Sequence, residues 1–141
     1  MSWETKKFSQ IMRITKGEAI TKASEREGPY PVILGGQEPA YYIDRYNHEG
    51  KAIVISRSGA SAGFASFWNE PIFITDGFLI ESRENNHFEY LYYLLKYFGK
   101  AIHDLQNGSA IPHVTPTTLY NLKGPIPPEN VQRKITDTLS A

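Results

Sequence analysis

Up to Ser82 the apolar positions come in short runs; after Asn86 they recur as a helical stripe. Residues 8–14 fit a short helix or strand leading into Lys16-Gly17. Tyr30-Pro31-Val32-Ile33-Leu34, closed by Gly35-Gly36, reads as a strand ending in a turn. Tyr41-Tyr42-Ile43 is a weaker strand candidate. Ala52-Ile53-Val54-Ile55 is the clearest buried strand, because it is β-branched and uninterrupted. It runs into a small, polar loop, residues 56–63. Residues 64–68, 72–75 and 78–82 give three further strands with short connections. Such close spacing favours antiparallel pairing, since parallel pairs need long crossovers.

In the second half Phe88, Leu91, Leu95, Phe98, Ile102 and Leu105 recur at three- and four-residue steps, one apolar face of an amphipathic helix. Asn86 with Glu89 three residues on suits a capping box, and Asn107-Gly108 a C-terminal stop. Residues 109–118, with Pro112 and Pro116, read as irregular. Residues 119–122 read as a last short strand, broken by Pro125-Ile126-Pro127-Pro128. A final helix over residues 129–139 carries Val131, Ile135 and Leu139 at four-residue steps. A helix of about three turns is marginal alone, so it must pack on its own domain, on a partner or on a continuation of the chain. The pattern predicts an α/β fold of the α+β type: a mixed, mostly antiparallel twisted sheet with a packed amphipathic helix and a helix at the C-terminal end.

Composition narrows the classes. The 141 residues fit one domain, with 40% hydrophobic and 21% charged residues, as for a globular fold. There is no internal repeat and no low-complexity linker. The absence of cysteine excludes a disulfide framework, a thiol nucleophile and a cysteine zinc site, and is compatible with a reducing cytoplasm. No signal peptide or membrane span is expected. Net charge is zero, so a surface for an acidic polymer must be a local patch. Residues 1–26 hold six basic against three acidic residues, a bias that a run of solvated charge explains more simply than a binding patch.

Candidate chemistry is sparse. His48, His87, His103 and His113 are scattered, without the spacing of a helical zinc site. No nucleophile elbow or phosphate-binding fingerprint occurs, so no catalytic residue, metal or cofactor is expected. Three loops have the composition of a binding surface. Residues 56–63 offer Arg57, Ser58, Ser61 and glycine-exposed backbone to an extended anion; a plain β-turn with an exposed arginine is the simpler account. Residues 107–118 offer Ser109, His113 and Thr115; a proline-rich surface connection competes. Residues 37–47 offer Gln37, Tyr41, Arg45, Tyr46 and Asn47. Gln and Asn match adenine and Arg matches guanine, although tyrosine clusters usually pack. Asp76-Gly77 is most simply a turn.

The ordered motifs point further. Pro31-Val32-Ile33-Leu34-Gly35-Gly36, Tyr42-Ile43-Asp44, Ile55-Ser56-Arg57-Ser58-Gly59, Phe73-Ile74-Thr75-Asp76 and Tyr92-Tyr93-Leu94-Leu95-Lys96 follow one another. Gly108-Ser109-Ala110-Ile111-Pro112 comes next, then Pro125-Ile126-Pro127-Pro128 with Glu129, Gln132 and Ile135. This set, over residues 17–139, closely resembles the target-recognition domain of type I restriction–modification specificity subunits. The resemblance implies a non-catalytic, cytoplasmic mixed α/β domain, residues 1–127, that reads one half of a split target in double-stranded DNA. Residues 128–141 would begin a coiled-coil spacer or dimerisation helix. Partners would be modification (methyltransferase) and restriction subunits, with a second recognition domain or a second copy through that helix, and no membrane. Family members usually carry two such domains and two long helices; this chain has one domain and a short helix.

Other readings remain at this point: a recognition domain of a fused type II restriction–methylation enzyme, a protein-interaction module built on the last helix, or a small enzyme. The last would need Asp44, Asp76 and His113 to converge in one cleft.

Overall fold

The computed structural model describes residues 3–34, 38–84, 86–105 and 114–140. Strand β5 (Lys51–Ser56) sets the architecture. Its apolar run lacks alternation, which a strand adopts when both faces are covered. It lies between β8 (Gly77–Ser82) and β6 (Ala65–Asn69), and β2 (Met12–Lys16) completes a four-stranded antiparallel sheet in the order β2-β8-β5-β6. The register sets Ile53 between Ile80 and Phe67, and Ile55 between Phe78 and Ala65. This row packs on helix α2 (Phe88–Asp104), whose Tyr90, Leu91, Leu94, Leu95 and Ile102 fill the main core. Fully burying one such side chain contributes roughly 1.5–3 kcal/mol.

The opposite face of β5, Ala52 and Val54, joins Ile33, Ile72 and Ile74 in a second core. Most of that cover is a three-stranded sheet, ordered β4 (Tyr41–Ile43), β3 (Glu27–Ile33), β7 (Phe73–Ile74). Its other residues, Val32, Ile43 and Phe73, form a third cluster with Ile20 and Tyr41. The layers run helix, sheet, sheet. A two-stranded antiparallel ribbon, β1 (Glu4–Lys7) with β9 (Lys123–Ile126), borders the main core. Helix α1 (Phe8–Ile11) plugs that core with Phe8 and Ile11, and α3 (Pro116–Tyr120) adds Leu119. No helix among the described residues is long and apolar enough to cross a membrane, which leaves strand-built barrels unaddressed.

The mixed α/β class and the mostly antiparallel pairing hold. One pairing differs. β3 and β7 run parallel, Val32 beside Phe73 and Ile33 beside Ile74; the intervening chain, with β4, β5 and β6, is long enough for the crossover. Residues 109–118 are not wholly irregular, because Thr115 caps a helical turn. Its side chain accepts from the Thr118 amide at 3.2 Å, with Pro116 opening the helix. Residues 119–122 are not a strand either. The strand follows at β9 and includes Pro125, tolerated in a two-stranded ribbon. The Gly35-Gly36 turn and the Asn107-Gly108 stop lie outside the described residues.

Helix α2 is capped at His87, not Asn86, and without a side-chain cap of its own. The partner comes from α4 (Glu129–Ser140). Gln132, 2% exposed, accepts the His87 amide through Oε1 at 2.8 Å. Its Nε2 donates to the Pro127 carbonyl at 2.9 Å and to Asn86 Oδ1 at 3.0 Å. Helix α4 therefore packs on its own domain, against the first half of α2, and Tyr93 and Ser140 hydroxyls meet at 2.8 Å. Its buried face centres on Gln132 and Thr136, with Ile135 packed on the main core. The expected stripe is thus only partly covered: Leu139 stays 57% exposed.

Candidate nucleic-acid interface

The end of β5 builds the best-defined site. Beyond Ser56 the chain turns back at once, because Ser56 and β6 share the loop's closing bonds. The Gly63 amide donates to the Ser56 carbonyl at 3.0 Å and the Ser56 amide to the Phe64 carbonyl at 3.1 Å. Gly59 (φ 78°) and Gly63 (φ 92°) take left-handed backbone. At Gly63 a Cβ would also lie 2.8 Å from the His103 nitrogen. The loop is therefore pressed on the end of α2, where His103 donates from Nδ1 to the Ala62 carbonyl at 2.8 Å.

Arg57 leaves this frame with a fixed direction. Its Nε donates to Asp76 Oδ1 at 2.7 Å, while Ser58 Oγ donates to Asp76 Oδ2 at 2.7 Å. One carboxylate thus holds two neighbouring side chains. The Arg57 carbonyl accepts the Val114 amide at 2.7 Å, so residues 56–63 and the end of 107–118 are joined. The Arg57 side chain stays 45% exposed. Beside it opens a cleft of about 350 Å³, lined by Lys16, Ala19, Ile20, Leu34, Thr75 and Phe78 among others. Leu34 is the last described residue before the segment that contains Gln37.

Residues 38–47 divide between two places. Tyr41 is half-buried in the outer sheet, with the Lys22 ammonium 5.9 Å from its ring centre. β4 then carries the chain away along β3. Arg45 is triply held: Nε to Glu25 at 2.7 Å, Nη1 to Glu18 at 3.2 Å, and its guanidinium 4.7 Å from the Phe73 ring centre. The hydrogen bond to Glu25 raises the Arg45 pKa, and the same bond lowers that of Glu25. Asn47 extends β7 with its side chain, donating to the Ile74 carbonyl at 2.9 Å and accepting its amide at 2.8 Å. Tyr46 sits edge-on to Tyr30 at 4.9 Å, and the Glu49 carboxylate raises its hydroxyl pKa.

Residues 17–20 run between these two places. The Gly17 amide bonds the Gly77 carbonyl at 3.0 Å and the Glu18 amide the Ile74 carbonyl at 2.9 Å. A Cβ on Gly17 would lie 2.6 Å from the Ile74 and Thr75 carbonyl oxygens, so the strap lies directly on β7. Arg57 and Leu34 are on one side of it, Asn47 and His48 on the other. Ser61 lines a separate cleft with Phe64, Tyr92 and Lys96. Gln37, Ser109 and His113 lie outside the described residues. Two of the three loops therefore meet at the Val114–Arg57 backbone bond, while the described part of the third, residues 38–47, lines none of the Arg57 cleft.

Asp44 follows β4 at the outer sheet and Asp76 is engaged by Arg57 and Ser58, while His113 is not described. Among the described residues no group of three His, Asp or Glu could hold a metal ion. Sequence reasoning gives Asp76 a place only in the enzyme reading and otherwise as a turn with Gly77; its role as the partner of Arg57 and Ser58 was not foreseen. The signal was available only in part: Arg57-Ser58 follows β5, and Asp76 immediately precedes β8, the strand that pairs with β5.

A family model described as the type I restriction modification DNA specificity domain matches residues 1–141. A candidate type I specificity subunit of Mycoplasma pneumoniae (strain ATCC 29342 / M129 / Subtype 1) is 28% identical over 147 residues, covering 99% of this chain and 47% of its own length. The chain thus spans about half of that relative. The type I restriction–modification S subunit of M. genitalium superposes with a TM-score of 0.88 at 23% identity, over 99% of this chain and 38% of that one. The HsdS subunit of Thermoanaerobacter tengcongensis gives 0.71 at 20% identity, over 99% and 37%. At these identities the structures establish a shared fold. With the family model matched from end to end, the chain belongs to the type I restriction modification DNA specificity domain family.

Proposed function

We propose that this domain reads DNA sequence as the recognition part of a type I restriction–modification specificity subunit, acting in the cytoplasm. It directs methylation and restriction that partner subunits perform. The observation that carries this reading is the family match over all 141 residues. The built loop at the end of β5 supports it, with Arg57 and Ser58 held on Asp76 beside an open cleft. Arg57, Ser58, Ser61 and Thr115 are proposed as DNA contacts, with Ser109 and His113 from the adjoining loop and Gln37, Tyr41, Arg45, Tyr46 and Asn47 from the third. Arg45 and Asn47 have strong internal partners, so their contacts would be made with what those partners leave exposed. Residues 1–127 form the recognition unit, and the helix from residue 128 begins the spacer or dimerisation element.

Mapping methylated sites in cells with and without the parent gene tests the reading. Loss of one split sequence motif from the methylation map is expected. An unchanged map would refute it. The exposed Leu139 on α4 favours a second, compatible role in assembly. Solution mass measured for the parent protein with Leu139 replaced by Glu checks it, the expected outcome being loss of the larger species.

A further inference from the structure

We infer that Arg57 is a specificity-determining residue that reads a guanine in the major groove, and that Asp76 is the positioning residue that aims it. This rests on the proposed DNA reading. Three observations separate base reading from phosphate attraction. First, Arg57 is already ion-paired with Asp76 at 2.7 Å. The pair is close to neutral, which weakens its pull on a phosphate but leaves hydrogen-bond geometry intact. Second, the pair engages Nε, and among the described residues the Nη groups have no partner. An arginine held in this way presents its terminal fork end-on, the arrangement that meets guanine O6 and N7 together. Third, the holding is redundant. Asp76 also accepts from Ser58 at 2.7 Å, and the Arg57 carbonyl is tied to the Val114 amide. A side chain ordered before binding loses little freedom on binding, and that advantage serves directional contacts more than a diffuse charge.

The cleft adds a second element. Ile20 and the 42% exposed Leu34 line it next to Arg57. An apolar wall beside a guanine-reading arginine suits the C5-methyl group of a neighbouring thymine.

The test uses the full parent protein in its complex and a panel of duplexes in which each pair of the mapped target is changed in turn. Binding of the wild type, Arg57→Ala, Arg57→Lys and Asp76→Asn is measured by fluorescence anisotropy. Wild-type binding is expected to fall on the order of 10- to 100-fold when one G·C pair is changed, and similarly when that guanine becomes 7-deazaguanine. Arg57→Ala and Arg57→Lys should lose this discrimination at that pair alone. Asp76→Asn should lose part of it with unchanged salt dependence, a readout that a general loss of structure would not give. Thermal melting of each variant confirms folding, and Arg57→Lys keeps the charge if Arg57→Ala does not fold. If Arg57→Ala weakens every duplex equally and lowers the salt slope by about one phosphate's worth, Arg57 holds the backbone and the inference is overturned. If the wild type shows no sequence preference, both the inference and the DNA reading fall.

Discussion

Replacing Gln132 by Met should destabilise the domain by about 2–4 kcal/mol. Methionine keeps the length and apolar volume of the side chain and removes only the amide. Gln132 is buried, and its amide is the partner of the His87 N–H, the Pro127 carbonyl and Asn86 Oδ1. Asn86 is part-exposed and can turn to water, so its loss is small. The two backbone groups cannot move, and each orphaned backbone group costs roughly 1–3 kcal/mol. A modest gain from burying the thioether offsets part of this. In a domain of this size each kcal/mol shifts the midpoint by roughly 3 °C, so thermal melts should fall by about 6–12 °C. Urea unfolding gives the same energy independently, provided the slope is unchanged. Hydrogen exchange at the His87 amide should accelerate more than at Leu95, in the middle of α2. A variant within about 0.5 kcal/mol of wild type, the range of neutral surface changes, would refute the claim that this amide joins α4 to α2.

Thr136, one turn further along, predicts the opposite sign. Its buried Oγ1 has no hydrogen-bond partner among the described residues, so Thr136→Val should stabilise by about 1 kcal/mol, read from the same urea midpoints. Gly63→Ala should cost about 2 kcal/mol or more, since it combines a φ of 92° with a Cβ 2.8 Å from the His103 nitrogen; thermal melting measures it. Glu25 is held below its ordinary value of 4.5 by Arg45. Its folded pKa is depressed, so its stabilising contribution is present above that value and is lost as pH falls through the folded pKa. The stability difference between wild type and Glu25→Gln should stay level from pH 7 to about 5 and shrink below about 4.5; a difference that grows there would contradict the ion pair. DNA binding by the parent protein should weaken linearly in log–log against salt, with a slope of about 0.9 per phosphate contacted.

The elements legible in the sequence are those whose signal is local. β5 could be read because burial on both faces leaves an unbroken β-branched run, and α2 because one face alone meets the sheet. α3 was legible in principle from Thr115-Pro116, a cap followed by a proline at the first turn, but the surrounding prolines read as loop. The cap of α2 was not. Asn86 and Glu89 fit a local capping pattern, yet the partner of the His87 amide stands on another helix. Nor could periodicity announce that Gln132 and Thr136, not Val131 and Leu139, form the buried centre of α4. At the site, the polar loop after β5 was visible as composition. Its order was not, because Asp76 is brought to Arg57 by the β5–β8 pairing, which sets Ser56 opposite Gly77.

That pairing has a consequence for motion. Arg57 directly continues the strand with the longest buried run, between a turn closed on β6 and a backbone bond to Val114. Segments of this kind open only with the whole domain, on the slow timescale of global unfolding. Exchange at the Ser56 amide should therefore fall in the slowest class, and the arginine should meet its target as a rigid pointer that needs no folding step on contact.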